Sequence, residues 1–256
     1  MRNALFVWAC TPSELPFQAE RGGDRAHLGY RISDRGRLFY GFARRPTGGI
    51  LILSDDGSGR PEAGFEAELE RELRRGRFSG LYLDFEAVTP ALFSLTEALD
   101  ELAKRMRLRL YVPEPYAVCA QDAFVLIGSD VCTGDFVLRM EEAALRFGDR
   151  LALELIPLRA DFRLPGQGRA VQLAPQQLAA LQKDAQVYFS SSLLANYFTY
   201  RDEKKDTHFV LYDDGASLSR KCAAAERAGA KEIFALYGEL APFALDTDNP
   251  DASDAY

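Results

Sequence analysis

The chain is organised around the stretch Ser79-Gly80-Leu81-Tyr82-Leu83-Asp84-Phe85-Glu86. Its leucine and phenylalanine residues alternate with tyrosine and acidic residues, which is the pattern of a β-strand whose two faces differ. Side chains two residues apart on a strand point the same way, so Asp84 and Glu86 project together, with Cα atoms about 6.6 Å apart at a rise of about 3.3 Å per residue. Thr89 and Pro90 then begin a helix. Two neighbouring carboxylates between a strand and a helix predict an active site.

Strand-like and helical patterns alternate on both sides of this stretch. Apolar runs predict eight strands, over residues 4–10, 37–42, 49–54, 80–85, 108–112, 123–128, 151–156 and 232–237. Amphipathic patterns predict further helices over residues 61–75, 136–147, 175–183 and 217–228. No glycine-rich turn follows the first strand, so the dinucleotide-binding signal is absent. Repeated strand–helix units of this number predict the α/β class and a single (β/α)8 TIM barrel.

The predicted barrel forms one domain over residues 1–240. It contains a long irregular loop over residues 11–36 and an elaboration over residues 187–212, between the last two strands. Residues 241–256 form an acidic tail that we expect to be disordered.

Composition excludes several classes of protein. A net charge of −7 over 256 residues speaks against nucleic acid as a partner, and no apolar run is long enough to span a membrane. The apolar N-terminus is short and lacks a small-residue cleavage site, so it is typical of a first strand and not of a signal peptide. The four cysteines are scattered without a C-x-x-C pair. These features together predict a cytoplasmic protein with reduced thiols.

Acidic and aromatic residues gather at the predicted carboxyl ends of the strands, where barrels of this kind have their active sites. The acids are Asp55, Asp84, Glu86, Glu114, Asp130 and Glu239, and the aromatic residues include Trp8, Tyr40, Tyr82, Tyr111 and Tyr237. Sugars stack on aromatic rings and glycosidic cleavage needs a proton donor, so this combination favours a carbohydrate site. Any single acid can instead cap a helix, and the acids Asp55, Asp84, Glu86 and Asp130 could together bind a hard cation.

Two motifs resemble glycoside hydrolase family 18. Residues 80–86 resemble the signature of that family's fourth strand, D-x-x-D-x-D-x-E. The run His208-Phe209-Val210-Leu211-Tyr212-Asp213-Asp214, with Ser217 and Lys221, resembles the family's H-x-V-x-[FY]-[ED]-D-x-x-S-x-x-x-K run before the last helix. The preceding Tyr197-Phe198-Thr199-Tyr200 is similar to a segment of the spore-cortex peptidoglycan N-acetylglucosaminidases.

This resemblance implies hydrolysis of β-linked N-acetylglucosamine polymers such as peptidoglycan or chitin, without a metal or cofactor. The sugar's own acetamido oxygen is the nucleophile in that family and the configuration is retained. The resemblance assigns the general acid to Glu86 and the orientation of the acetamido group to Asp84. With the predicted rim, it also yields a set of substrate-binding residues: Tyr82, Asp130, Tyr237, Trp8, Tyr40 and Glu114. Trp8 could equally pack in the core. Association with spores is compatible with the absence of a signal peptide.

Several positions depart from the family pattern. Ser79 and Tyr82 stand where the signature has its first two aspartates, and Tyr237 stands for a tryptophan. Ser129 replaces a tyrosine whose hydroxyl donates to the acetamido oxygen, and losing one such donor costs about 10²–10³ in rate. The alternative is therefore a catalytically decayed barrel that binds glycan or serves as a scaffold.

The second motif also allows structural roles. Ser217 is expected to cap the last helix, and Lys221 is expected to reach back toward the acids before it. His208 is expected to be structural.

Overall fold

The computed structural model describes residues 4–19, 22–55, 60–165 and 170–243, so most of the predicted acidic tail lies outside the described residues. The strands are β1 (Leu5–Cys10), β2 (Asp24–Ile32), β3 (Leu38–Tyr40), β4 (Ile50–Asp55), β5 (Gly80–Asp84), β6 (Arg109–Pro113), β7 (Phe124–Gly128), β8 (Leu151–Leu155), β9 (Arg159–Leu164), β10 (Val171–Gln172), β11 (Tyr188–Ser190), β12 (Ala195–Arg201), β13 (Thr207–Tyr212) and β14 (Glu232–Leu236). The α-helices are α1 (Leu15–Gln18), α2 (Phe65–Gly76), α3 (Pro90–Met106), α4 (Phe136–Phe147), α5 (Pro175–Gln182), α6 (Gly215–Arg227) and α7 (Tyr237–Leu240).

Eight parallel strands close into a barrel. Their order is β1, β2, β4, β5, β6, β7, β8 and β14, and β1 closes the circle by pairing with both β14 and β2. The predicted TIM barrel is confirmed. The fourth strand of this barrel is β5, which lies within the stretch Ser79–Glu86.

One strand of the prediction was wrong. The second barrel strand is β2, which lies inside the supposed irregular loop over residues 11–36. Residues 37–42 contain only β3, which pairs antiparallel with β2 outside the barrel. The alternation of side chains along β2 is hard to recognise in the sequence, because a register shift between His27 and Tyr30 breaks the two-residue period. Gly29 lies in that shift with φ +105°, a backbone conformation that favours glycine.

The strands bury two separate sets of side chains. An inner cluster fills the barrel: Val7, Ala9, Ala26, Ile50, Ile52, Tyr82, Tyr111, Leu126, Ala152 and Phe234. An outer layer packs between the barrel and its helices. On β5 this alternation turns Leu81 and Leu83 outward and Tyr82 inward, as the sequence predicts.

A second sheet, which we call the accessory sheet, is inserted between β8 and β14. It is antiparallel, with the order β10, β9, β13, β12, β11. It includes the predicted elaboration over residues 187–212 but begins earlier, at Arg159. One of its faces is buried beneath α5, where Leu178 packs with Phe198 and Val210.

A buried ion pair joins α6 to neighbouring loops. The Lys221 Nζ lies 2.7 Å from Asp213 Oδ2 and donates to the Ser129 carbonyl at 3.0 Å, and both charged side chains are fully buried. The Ser217 hydroxyl donates to Asp213 Oδ1. Lys221 therefore does reach back to the acids, but the N-cap of α6 is Asp214 and not Ser217.

In the part of the chain that the structure describes, no helix is long and apolar enough to cross a membrane.

Candidate active site

A cavity of about 200 Å³ opens at the carboxyl ends of the barrel strands. Its polar groups are Tyr82 and Asp84 from β5, Glu154 from β8 and Glu239 from α7. The remaining lining residues are Ala9, Leu28, Ile52, Leu155, Ile156, Pro157, Phe234, Ala235 and Leu236. A mainly apolar cavity with a few converging polar groups is the usual form of a site for a small molecule or a sugar unit.

Tyr82 and Glu154 form a partly buried hydrogen bond across the barrel. The Tyr82 hydroxyl donates to Glu154 Oε1 at 2.5 Å. The pKa of Glu154 is raised to about 7: burial is the largest cause, the hydrogen bond from Tyr82 acts in the opposite direction, and the charges of Asp84 and Asp130 also raise the pKa. The Glu154 carboxyl group is therefore divided between its neutral and charged forms near neutral pH.

Asp84 is the second carboxyl group of the cavity. Its pKa is raised to about 6, mainly by burial and also by the charges of Glu86 and Asp55. At neutral pH Asp84 is mainly ionised, so it can accept a hydrogen bond from an amide N–H placed in the cavity.

Glu86 lies at the rim just beyond β5, and its side chain is exposed. Its backbone N–H donates to Asp55 Oδ1 at 2.9 Å, and that of Ala87 donates to Asp55 Oδ2 at 3.0 Å. The buried Tyr116 hydroxyl donates to the Ala87 carbonyl. The loop that carries Glu86 is thus held by Asp55 and Tyr116, whereas the Glu86 side chain is exposed to solvent.

The structure places two predicted substrate-binding residues near the cavity. Asp130 is exposed just after β7, close enough for its charge to act on Glu154. Tyr237 begins α7 immediately after the lining residue Leu236, but its half-buried ring does not line the cavity; it packs on the outer layer, edge-to-face against Trp8 with 5.9 Å between centroids.

Trp8 does not line the cavity. It alternates on β1 with Val7 and Ala9, which face the barrel interior, so its ring faces the outer layer. There it is only 3% exposed and stacks on Phe6. A sugar platform at Trp8 was therefore a wrong prediction.

Tyr40 and Glu114 also lie away from the cavity lining. The Tyr40 ring packs against Tyr30, with 4.4 Å between centroids, on the outer side of β2. Glu114 forms ion pairs with Arg139 and Arg146 of α4, at 3.1 Å and 2.7 Å. Both predictions are corrected, because Tyr40 packs on the outer layer and Glu114 is paired with two arginines of α4.

Ser129 cannot take the place of a tyrosine donor. It is fully buried, its hydroxyl donates to the Ile156 carbonyl at 3.0 Å, and it accepts from the Ile156 N–H at 2.8 Å. These two hydrogen bonds link the chain after β7 to the chain after β8.

Sequence reasoning missed the role of Glu154. The signal was a single charged residue within the otherwise apolar strand β8, at the same parity as the inward-facing Ala152. Glu239 was placed at the rim, and it does line the cavity, where it pairs with Arg159 at 3.4 Å.

His208 lies on the accessory sheet and is not among the lining residues of the cavity. Its Nδ1 is 2.9 Å from Asp161 Oδ1, and its ring stacks on Tyr200. Among the residues described, no group of three or more His, Cys, Asp or Glu side chains is arranged to hold a metal ion.

Comparisons with known proteins give structural neighbours only. No protein-family model and no curated protein matches the sequence. A chitinase from Chromobacterium violaceum aligns over 91% of this chain and 93% of its own, with 16% identity and a TM-score of 0.70. The spore cortex-lytic enzyme SleL of Bacillus megaterium aligns over 91% of this chain and 70% of its own, with 15% identity and a TM-score of 0.66.

A third neighbour was solved with a sugar ligand. A class V chitinase mutant from Cycas revoluta in complex with (GlcNAc)3 aligns over 91% of this chain and 94% of its own, with 15% identity and a TM-score of 0.59. At such identities the likeness concerns the fold. The chain has the barrel fold of family 18 glycoside hydrolases, close to that of the spore cortex-lytic enzymes.

Proposed function

We propose that the protein is a glycoside hydrolase that cleaves β-linked N-acetylglucosamine polymers, of the peptidoglycan or chitin type. The observation that carries this proposal is the placement of Asp84 and Glu86 at the carboxyl end of the fourth barrel strand, one inside the cavity and one at its rim. Neighbours of the same fold include chitinases and cortex-lytic enzymes. The SleL likeness favours peptidoglycan, and the (GlcNAc)3 complex favours a ligand built from N-acetylglucosamine.

In the proposed reaction the acetamido oxygen of the sugar attacks its own C1. The bond from C1 to the glycosidic oxygen breaks as Glu86 gives its proton to that oxygen. Asp84, mainly ionised at neutral pH, accepts a hydrogen bond from the acetamido N–H and balances the positive charge of the cyclic intermediate. Water then attacks C1, the bond from C1 to the acetamido oxygen breaks so that the acetamido group is regenerated, and the proton lost by the water returns to Glu86. Two displacements at C1 give retention of configuration.

Tyr82 and Glu154 line the cavity in which this reaction would take place. The partly neutral Glu154 limits the negative charge beside Asp84, and Tyr82 holds the Glu154 carboxyl group in place. Neither residue needs to touch the leaving group in this scheme.

A second candidate function is glycan binding without turnover. It is favoured by Ser129, whose hydroxyl is used between β7 and β8 and leaves no donor for the acetamido oxygen at that position. The two functions predict the same ligand, but only the hydrolase releases products.

The test compares the wild type with Glu86→Gln on (GlcNAc)6 and on spore-cortex peptidoglycan, with release of reducing ends as the measurement. A general acid contributes about 10²–10⁴ in rate, so Glu86→Gln should lose at least about 100-fold. The control is Glu66→Gln, which changes an exposed carboxylate on α2 and should retain the wild-type rate. Glycan binding without release by any variant would establish the second function, and neither binding nor release would overturn both.

A further inference from the structure

An open cleft of about 520 Å³, which we call the arginine cleft, lies in the outer layer of the molecule. One wall is formed by β3 and the residues beside it, and the other wall by α2. The cleft shares no lining residue with the cavity at the carboxyl ends of the barrel strands. Its lining consists of Leu38 and six charged residues: Arg37, Arg45, Glu68, Arg71, Glu72 and Arg75.

The Glu72 carboxylate holds two of the arginines in place. It accepts from Arg45 Nη1 at 2.7 Å, from Arg75 Nη2 at 2.6 Å and from Arg75 Nε at 3.0 Å. The Tyr30 hydroxyl donates to the same carboxylate at 2.6 Å and so anchors it to β2. The Glu72 side chain is only 6% exposed, whereas those of Arg45 and Arg75 are 50% and 47% exposed. Since a guanidinium group carries five N–H donors, both arginines retain donors for a ligand.

The arginine cleft carries an excess of positive charge. Burial favours the neutral form of Glu72, but hydrogen bonds from Arg75 and Tyr30 and the charges of the arginines hold its pKa below the ordinary value. The hydrogen bond from Arg37 likewise lowers the pKa of Glu68. Both carboxyl groups are therefore ionised at neutral pH, and four arginines against two glutamates leave a charge of +2. The chain as a whole has a net charge of −7, so the cleft is opposite in sign to the rest of the molecule.

Arg71 contributes a charge that no single carboxylate offsets. It lies one turn before Arg75 on α2, and its Nε donates to the Ala67 carbonyl at 3.1 Å. Within the described part of the chain, its guanidinium group forms no ion pair with a carboxylate. Its remaining N–H groups are available on the same wall of the cleft as those of Arg75.

We propose that the arginine cleft is a binding site for a phosphorylated small molecule, whose phosphate group is held by Arg45 on one wall and by Arg71 and Arg75 on the other. A phosphomonoester carries close to two negative charges at neutral pH and three acceptor oxygens, which match the charge of the cleft and its guanidinium donors. A single carboxylate would balance only half of this charge. The volume lies within the range of small-molecule sites, about 300–1,000 Å³, so the cleft has room for the rest of the ligand beside its phosphate group.

The experiment measures the Kd of glycerol 3-phosphate by calorimetry at pH 8 and constant ionic strength. Dimethyl phosphate is compared with it, because it has the same tetrahedral group with only one negative charge. The dianion should bind at least about tenfold more tightly than the monoanion, since it alone balances the charge of the cleft.

Substitutions on the two walls test the assigned residues. Arg71→Gln and Arg45→Gln should each raise the Kd of glycerol 3-phosphate about tenfold, because each removes charge-assisted hydrogen bonds. The matched control is Arg74→Gln, which removes the same charge from the same helix but changes a side chain that does not line the cleft. Its Kd should equal that of the wild type. Thermal unfolding without ligand checks that each variant is folded.

Three outcomes would overturn the inference. The first is the absence of any binding of glycerol 3-phosphate at about 10 mM. The second is an equal effect of Arg71→Gln and Arg74→Gln, which would show only a general attraction of anions to α2. The third is tighter binding of tetraglutamate than of glycerol 3-phosphate, which would assign the cleft to an acidic peptide. The proposed hydrolase is tested by glycan cleavage and is independent of all three.

Discussion

Glu154 and Asp84 bring two carboxyl groups into one cavity from strands that are three positions apart in the barrel. The pKa of each is raised mainly because burial disfavours the charged form. The folded protein therefore binds their protons more tightly than the unfolded chain does. Their contribution to stability is present below their ordinary pKa values and is lost as the pH rises through about 6 and 7.

Glu154→Gln should remove one part of this pH dependence. Glutamine still offers a carbonyl oxygen to the Tyr82 hydroxyl but cannot ionise. The melting temperature of the variant minus that of the wild type should therefore rise between pH 4.5 and pH 8. Scanning calorimetry across this range measures the difference, with the exposed Glu66→Gln as the control whose difference stays constant. A constant difference for Glu154→Gln as well would contradict the raised pKa.

The alternation of side chains along a strand allows some site residues, but not all of them, to be located from the sequence. On β5 the contrast between Leu83 and Asp84 shows which side faces the cavity. On β1 every residue from Leu5 to Cys10 is apolar or aromatic, as is usual for a strand covered on both faces, so parity alone gave no sign that Trp8 faces outward. Glu154 was visible as an unusual charge within a strand, but its partner Tyr82 comes from a distant part of the chain.

At the scale of single elements, the loop between β5 and α3 holds the proposed acid by its backbone. Asp55, at the end of β4, accepts from two consecutive N–H groups of this loop. These hydrogen bonds fix the position of the Glu86 backbone, although Asp55 contacts no substrate in the proposed reaction. Asp55 is thus a positioning residue.

Asp55→Ala should loosen this loop without unfolding the barrel. Hydrogen exchange of the Glu86 and Ala87 amides should accelerate by at least about tenfold, because the carboxylate that accepts from both N–H groups is removed. Asp55→Asn keeps one acceptor oxygen and should lie between the alanine variant and the wild type. Unchanged exchange in the alanine variant would show that Tyr116 alone holds the loop, and this result does not depend on enzymatic activity.

The boundaries of most strands and helices follow from sequence periodicity, and β2 shows where this fails. The register shift between His27 and Tyr30 moves the later side chains to the other face, so a two-residue period is not kept along the whole of β2. Residues 37–42 contain an apolar run that is typical of a barrel strand, but they form only the short edge strand β3.

At the scale of the whole molecule, Lys221 and Asp213 join the end of the accessory sheet to α6 and to the barrel. Lys221 binds the Ser129 carbonyl beyond β7, and Asp213 accepts from the Leu158 N–H before β9. Burial raises the pKa of Asp213, while Lys221 and its other partners lower it. A buried charge left without its partner is costly.

Lys221→Met should therefore lower the free energy of unfolding by about 3–5 kcal/mol, because it leaves the Asp213 carboxylate buried and unpaired. Chemical denaturation measures this change. The control is Lys231→Met, which breaks an exposed ion pair with Asp149 and should change the midpoint little. The double variant Lys221→Met with Asp213→Asn should recover part of the loss, and equal losses for the single and double variants would show that the charge is not the cause.

The insertion of the accessory sheet also determines when the barrel can close during synthesis. Strand β14 fills the gap between β8 and β1, yet residues 156–231 separate it from β8 along the chain. Until β14 leaves the ribosome, the nascent chain carries two open strand edges whose N–H and C=O groups lack their partners. Such edges pair readily with other chains, so the period between synthesis of β8 and of β14 is when this protein is most exposed to aggregation and to chaperone binding.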